Sequence, residues 1–170
     1  MKKYLDILLV TSLGAGFSPI APGTAGALVG VFIWLIPLML GTAYNHLWTA
    51  TLLACVVVTL ISIRPIGRIE KLWGHDPSRV VIDETVGVWI CLLGVPRSAT
   101  VSSGIAATSS LPLAGWVLAA FLLFRFFDIA KPLGIRRMER YPGGWGVMAD
   151  DILSGLYGLI LMSVAQLFLS

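Results

Sequence analysis

Four stretches of this chain, residues 25–44, 48–63, 111–130 and 152–169, are apolar over nearly their whole length. Each approaches the about 20 residues of helix needed to cross a bilayer. Backbone in lipid must satisfy its own hydrogen bonds, so a helix is what such a stretch forms. A fifth apolar segment, 81–95, is shorter and opens on Asp83 and Glu84. The first apolar segment, 5–17, is shorter still and runs into a loop dense in glycine and proline, as an interfacial or re-entrant helix would. The expected fold is therefore all-α: a polytopic membrane helical bundle of about four to five transmembrane helices behind a short N-terminal segment. Residues 1–170 read as one membrane-embedded domain.

Composition agrees. Hydrophobic residues make up 57% of the chain and charged residues 12%, against about 25% charged in soluble domains. The formal net charge of +3 comes from few charges of either sign, and no basic run suited to nucleic acid exists. Cys55 and Cys91 lie in apolar runs without metal-binding spacing, so both are expected to be structural thiols. Asp6 interrupts the first apolar segment, and Pro19 and Pro22 stand where a signal cleavage site would be, so that segment is expected to be retained.

Basic residues orient the bundle, because cytoplasmic loops collect lysine and arginine. With the N-terminus inside and five crossings, the inner segments hold Lys2, Lys3, Arg64, Arg68, Lys71, Arg79, Lys131, Arg136, Arg137 and Arg140. The outer segments hold Arg97, while Arg125 lies within a span. The C-terminus is then outside. Two small-residue pairs, Gly26 with Gly30 and Ser154 with Gly158, allow helices to approach closely, within one chain or between two.

The same orientation sorts the acids. Of nine carboxylates, five fall at one cytoplasmic depth: Asp83 and Glu84 opening the third span, Asp128 closing the fourth, and Asp150 and Asp151 opening the fifth. Ionisable groups at such depth are costly unless they pair with a cation or reach water, and they mark function by default. A purely structural account exists for each alone. Asp83, Glu84, Asp150 and Asp151 could cap helices or favour their dipoles, and Asp128 could pair with Arg125 or Lys131. One cap per helix would suffice, however, and both pairs are doubled. Clustered carboxylates repel unless a cation balances them, and an oxygen-only donor set points to a hard ion such as Mg²⁺. Metal held by carboxylates beside basic residues is what phosphoryl chemistry requires.

The loops supply the remaining parts. The run from Gly14 to Gly26 carries Ser18 and Thr24 and matches neither a dinucleotide fingerprint nor a P-loop. Its amides could meet phosphate where the next helix begins. His75-Asp76 precedes the third span, and His75 could donate a proton to a leaving oxygen or act as a weak ligand. Arg125, Asp128 and Lys131 set cation, acid and cation on neighbouring turns, and Pro132 ends that helix. Arg136, Arg137 and Arg140 fit anchors for an anionic lipid surface. Residues 141–146 read as a flexible turn delivering Asp150 and Asp151.

Four blocks in order now resemble the bacterial phosphatidylglycerophosphatase A family along essentially the full length. They are Gly16 to Thr24 (GFSPIAPGT), His75-Asp76 with Asp83 to Gly87 (DETVG), Phe124 to Pro132 (FRFFDIAKP) and Gly143 to Asp151 (GGWGVMADD). The resemblance implies an Mg²⁺-dependent hydrolase of the bacterial cytoplasmic (inner) membrane, with its active site facing the cytoplasm, that converts phosphatidylglycerophosphate to phosphatidylglycerol. Glu139 stands where some relatives carry aspartate, which argues against a strict ligand role there. On this reading some of Asp83, Glu84, Asp128, Asp150 and Asp151 bind Mg²⁺, and another orients water or attacks phosphorus directly. Arg125, Lys131, Ser18 and Thr24 hold the phosphate. Adjacent acids lie about 100° apart on a helix, so not every member of each pair need ligate.

Three rivals fit less well. An ion-coupled transporter places its acids near the bilayer midplane on broken helices. A phosphohistidine phosphatase needs well-placed histidines, and His46 and His75 fall on opposite sides. An alcohol transferase acting on a nucleotide-activated lipid needs an Asp-x-x-Asp-Gly run, which this sequence lacks.

Overall fold

The computed structural model describes residues 2–75, 77–100, 111–132 and 134–169, apart from the side chains of Glu139 and Arg140. Asp76, the second half of the His-Asp pair, lies outside the described residues, as do the side chains of Glu139 and Arg140. The described helices are α1 (Lys2–Val10), α2 (Pro22–Met39), α3 (Tyr44–Trp73), α4 (Ile82–Leu92), α5 (Arg97–Thr100), α6 (Leu113–Ala130) and α7 (Gly144–Leu169). Single stretches of 3-10 helix cover Ala15–Phe17 and Ile135–Arg140. Of these, α2, α3, α6 and α7 are long and apolar enough to cross a membrane. Their outward faces carry exposed side chains such as Phe32, Leu53, Leu122 and Ile160. Lipid tails cover such surface where water would not.

Of the boundaries that differ from the sequence expectation, three bear on the site. Helix α2 starts at Pro22 rather than residue 25, since proline suits the first helical position. Helix α3 does not stop at residue 63 but continues through Arg64 and Pro65 to Trp73, 30 residues in all. Pro65 is buried among neighbouring helices, the setting in which a membrane helix tolerates proline. Helix α7 starts at Gly144, so the expected flexible turn is partly its first turn. Asp150 and Asp151 consequently lie about two turns inside a helix. A cap serves only the terminal turn, so the capping account of these two acids fails.

Helix α4 is the centre of the molecule. Every one of its residues except Glu84 is buried, and α2, α3, α6 and α7 all pack on it. Such crowding works because glycines remove the side chains that would separate the backbones. A Cβ on Gly26 would lie 2.6 Å from the Val81 Cβ, and one on Gly30 would lie 2.8 Å from Val88 Cγ1. From the other side, a Cβ on Gly155 would overlap the Gly87 carbonyl, and one on Gly158 would meet Cys91 Sγ at 2.5 Å. Both small-residue pairs therefore contribute contacts to α4 within one chain. Close approach also permits hydrogen bonds between helices: Trp89 Nε1 donates to Gly30 O at 2.8 Å and Thr85 Oγ1 to Gly26 O at 3.1 Å.

The two ends of α4 fix its depth. Beyond its C-terminal end, the Tyr44 hydroxyl donates to Val95 O at 2.8 Å and Gln166 Nε2 to Gly94 O at 2.7 Å. That end therefore sits level with the start of α3 and the close of α7. At its N-terminal end, Val81 N donates to Val10 O at 2.8 Å, and the hydroxyls of Ser12 and Thr85 share a 2.6 Å hydrogen bond. With 11 residues, α4 is only about 16 Å long, short of the ~30 Å hydrocarbon core. Its first turn is thus recessed inside the bundle, while α3, at ~45 Å, runs past it.

The short N-terminal segment closes over this recessed end. Arg68 on α3 grips Asp6 on α1 along one guanidinium edge, Nε and Nη2 donating to the two carboxylate oxygens at 2.8 and 2.7 Å. The Arg79 guanidinium lies 5.7 Å from the Phe17 ring centre and 5.9 Å from that of Trp73, tying the loop before α4 to the 3-10 turn after α1.

Candidate active site

At the recessed end of α4 a cavity of about 410 Å³ opens among the loop before α2 and helices α3, α4, α6 and α7. Asp83, Glu84, Asp128, Asp150 and Asp151 all line it, together with Arg125, Lys131 and His75. Three separate helices deliver the five acids. Asp83 and Glu84 come from the first turn of α4, Asp128 from the last turn of α6, and the aspartate pair from inside α7.

Two of the acids are engaged by cations. Arg125 pairs with Asp128 one turn along α6, as the structural account of Asp128 anticipated. Lys131, whose backbone turns left-handed (φ 44°) to end α6, reaches across to α7 and donates to Asp150 Oδ2 at 2.5 Å. The other acids are differently placed. Carboxylate oxygens of Asp83, Glu84 and Asp151 lie within 4.8 Å of one another. Asp83 Oδ1, Glu84 Oε2 and Asp150 Oδ1 are buried and, among the described residues, meet no hydrogen-bond partner. Asp83 is 8% exposed and Asp151 2%, too little for water to carry the charge.

This donor set fits a hard divalent cation on the chemistry of its atoms. The oxygens are anionic, close enough for one ion to bridge, and partly orphaned, which is the condition a bound cation relieves. Asp83, Glu84 and Asp151 form that group, while Asp128 and Asp150 each face a cation.

The glycine-rich loop meets the cavity along its backbone, where the sequence offered both backbone amides and the hydroxyls of Ser18 and Thr24. Ala21, Pro22 and Gly23 line the cavity, whereas Ser18 and Thr24 are absent from the lining. The Ser18 hydroxyl is turned back on its own loop, donating to Ile20 O at 2.8 Å. A Cβ added to Gly23 would collide with Glu84 Oε1 and come within 3.3 Å of Arg125 Nη1. The loop therefore presents backbone rather than hydroxyls to the site.

Among the lining residues that sequence reasoning gave no role in the site are Glu70, Ser78 and Tyr141. Glu70 would have been found by carrying the helical period of α3 past Pro65. Nothing in the residue pattern marks Ser78 or Tyr141 as part of the site. His75, which the sequence did single out, is exposed at the cavity's rim.

A polytopic helical membrane protein with a recessed pocket of carboxylates and paired cations is the class that fold and site define. The family comparison is more specific: the phosphatidylglycerophosphatase A model matches residues 8–166, and the chain belongs to that family of phosphatases. A Bacteroides thetaiotaomicron protein provisionally named phosphatidylinositol-3-phosphatase is 47% identical over 164 residues, covering 96% of this chain and 95% of that one. A Haemophilus influenzae phosphatidylglycerophosphatase A is 35% identical over 163 residues, 94% of this chain and 87% of its own. The Escherichia coli phosphatidylglycerophosphatase A is 32% identical over 151 residues, 88% and 76% respectively. No solved structure matches the chain.

Proposed function

We propose that this protein hydrolyses the terminal phosphate of phosphatidylglycerophosphate to phosphatidylglycerol and inorganic phosphate. We propose further that it does so with Mg²⁺, at the cytoplasmic face of the bacterial inner membrane. The observation that carries the reading is the convergence of five carboxylates, Arg125 and Lys131 on one cavity in a chain of this family. The basic residues Lys2, Lys3, Arg64, Lys71, Arg79, Arg136 and Arg137 support the orientation.

Asp83, Glu84 and Asp151 would hold the ion, which when bound supplies charge neutralisation at the phosphate oxygens and Lewis acidity. Arg125 and Lys131 hold the remaining phosphate oxygens, and Asp128 and Asp150 hold those two cations in position. A carboxylate aligns a water for attack on phosphorus opposite the glycerol oxygen, or an aspartate attacks and its acyl phosphate is then hydrolysed. In either route the ester phosphorus–oxygen bond breaks and the departing glycerol oxygen takes a proton, for which His75 at the rim is a candidate donor. The recessed site takes the head group while the acyl chains stay in lipid.

A second reading follows from the 47% identical relative: a phosphatidylinositol phosphate as substrate. Purified protein in detergent micelles should release phosphate from phosphatidylglycerophosphate, stop with chelator and recover with added Mg²⁺. Faster release from phosphatidylinositol 3-phosphate would favour the second reading. Release untouched by chelator would remove the metal from the first.

A further inference from the structure

Beside the acid pocket lies a second cavity of about 670 Å³, open to the surface between the far end of α3 and the first turn of α7. Its character is opposite. Arg64, Arg68 and Lys71 line it from successive turns of α3, with Trp145 exposed on the facing side. Gly67 faces open space in the groove, where a Cβ would meet nothing within 4 Å. Arg68 is committed to Asp6, whereas Arg64 and Lys71 are both exposed. The two cavities are neighbours: Glu70, His75 and Gly143 line both.

A lipid whose terminal phosphate sits among the carboxylates must lead its glycerol backbone out of that pocket to reach its acyl chains in the bilayer. Any route through the cationic groove carries the lipid past Arg64 and Lys71. An exposed tryptophan at the groove is the side chain that membrane–water interfaces favour. A phospholipid with a head-group phosphate has one further anion to offer there, the phosphodiester joining head group to diacylglycerol. Resting on the functional reading above, we propose that the groove is a subsite for the substrate's phosphodiester, bound by Arg64 and Lys71. Selectivity then comes from two phosphates read in two places: a monoester on the acidic, cation-bridged side and a diester on the basic side.

The two reaction products separate the subsites, since phosphatidylglycerol carries the diester alone and inorganic phosphate resembles the monoester alone. In mixed micelles of fixed lipid mole fraction, Arg64→Gln/Lys71→Gln should raise the inhibition constant of phosphatidylglycerol about tenfold, the size two partly exposed ion pairs supply. The inhibition constant of inorganic phosphate should stay where it was. The charge-conserving Arg64→Lys/Lys71→Arg should behave as the unsubstituted protein, and Gly67→Leu, which fills the groove without touching a charge, should again weaken phosphatidylglycerol selectively. If both constants rise together, or neither moves, the groove is only a basic surface and the proposal is overturned while the phosphatase reading stands. An unsubstituted protein inert towards phosphatidylglycerophosphate overturns both.

Discussion

Lys131 ends α6 and Asp150 lies two turns inside α7, yet Lys131 Nζ and Asp150 Oδ2 are 2.5 Å apart, joining the two helices at the depth of the acid pocket. Breaking one side of a buried pair strands the other charge. Lys131→Met should lower stability by about 2 kcal/mol, at the low end for a pair that is partly exposed. Adding Asp150→Asn should restore most of that loss. Turnover should fall on the order of 100-fold in the single variant and stay low in the double, because on the proposed reading the cation serves the phosphate as well as Asp150. Thermal unfolding in detergent and phosphate release, measured on the same preparations, check both halves.

Asp83 and Asp151 share their space with Glu84. Asp83→Asn and Asp151→Asn should each reduce turnover on the order of 10³-fold at saturating Mg²⁺. The unsubstituted protein should melt higher in Mg²⁺ than in chelator, by the equivalent of about 2.7 kcal/mol at a hundredfold excess over Kd. Both variants should lose that difference while melting no lower in chelator, since each removes a buried carboxylate that has like charges for neighbours. Near-normal turnover in both would end the metal-site proposal.

Gly23 presents its bare backbone to Glu84 and Arg125. Gly23→Ala should cost about tenfold or more in kcat/KM by displacing both side chains from working positions, with little change in melting temperature. Ser18→Ala, on the same loop but outside the pocket lining, should change kcat/KM by less than about twofold. Kinetics on the two variants in parallel would distinguish a backbone wall from a hydroxyl cradle.

The Arg68 guanidinium hydrogen-bonded to Asp6 holds that carboxyl below its ordinary range, against a smaller opposing effect of burial. A carboxyl lowered in the folded protein stabilises it above the unfolded value, about 3.9, and ceases to do so as pH falls through the lower folded value. The unsubstituted protein should therefore melt above Asp6→Asn at pH 7, with the gap closing below about pH 4. A gap constant down to pH 3 would mean that the pair does not hold α1 in place.

Hydropathy, charge asymmetry and the clustering of acids are local signals, so the four long spans and the carboxylates of Asp83, Asp128 and Asp151 are legible in the amino-acid sequence alone. What is not legible there depends on packing. Arg64-Pro65 looks like a helix stop, and it continues only because neighbouring helices bury Pro65. Gly143 to Gly146 looks like a hinge, yet Gly144 packs directly on the Ile63 backbone and begins α7 there. Those two readings hide Glu70 from the site and misplace Asp150 and Asp151 at a helix end. For the loop, a sequence reading offers both the hydroxyls of Ser18 and Thr24 and the backbone amides, and packing alone sets Gly23 against Glu84 and Arg125.

Because α4 keeps every side chain but that of Glu84 buried, it lies away from the hydrocarbon. A thicker or thinner bilayer acts on the tilt of α2, α3, α6 and α7, whose outward faces must match it. The carboxylates at the start of α4 feel such changes at second hand, through the four helices packed around it. Asp128, Asp150 and Asp151 ride on α6 and α7 themselves, so bilayer thickness sets how the two groups of acids meet.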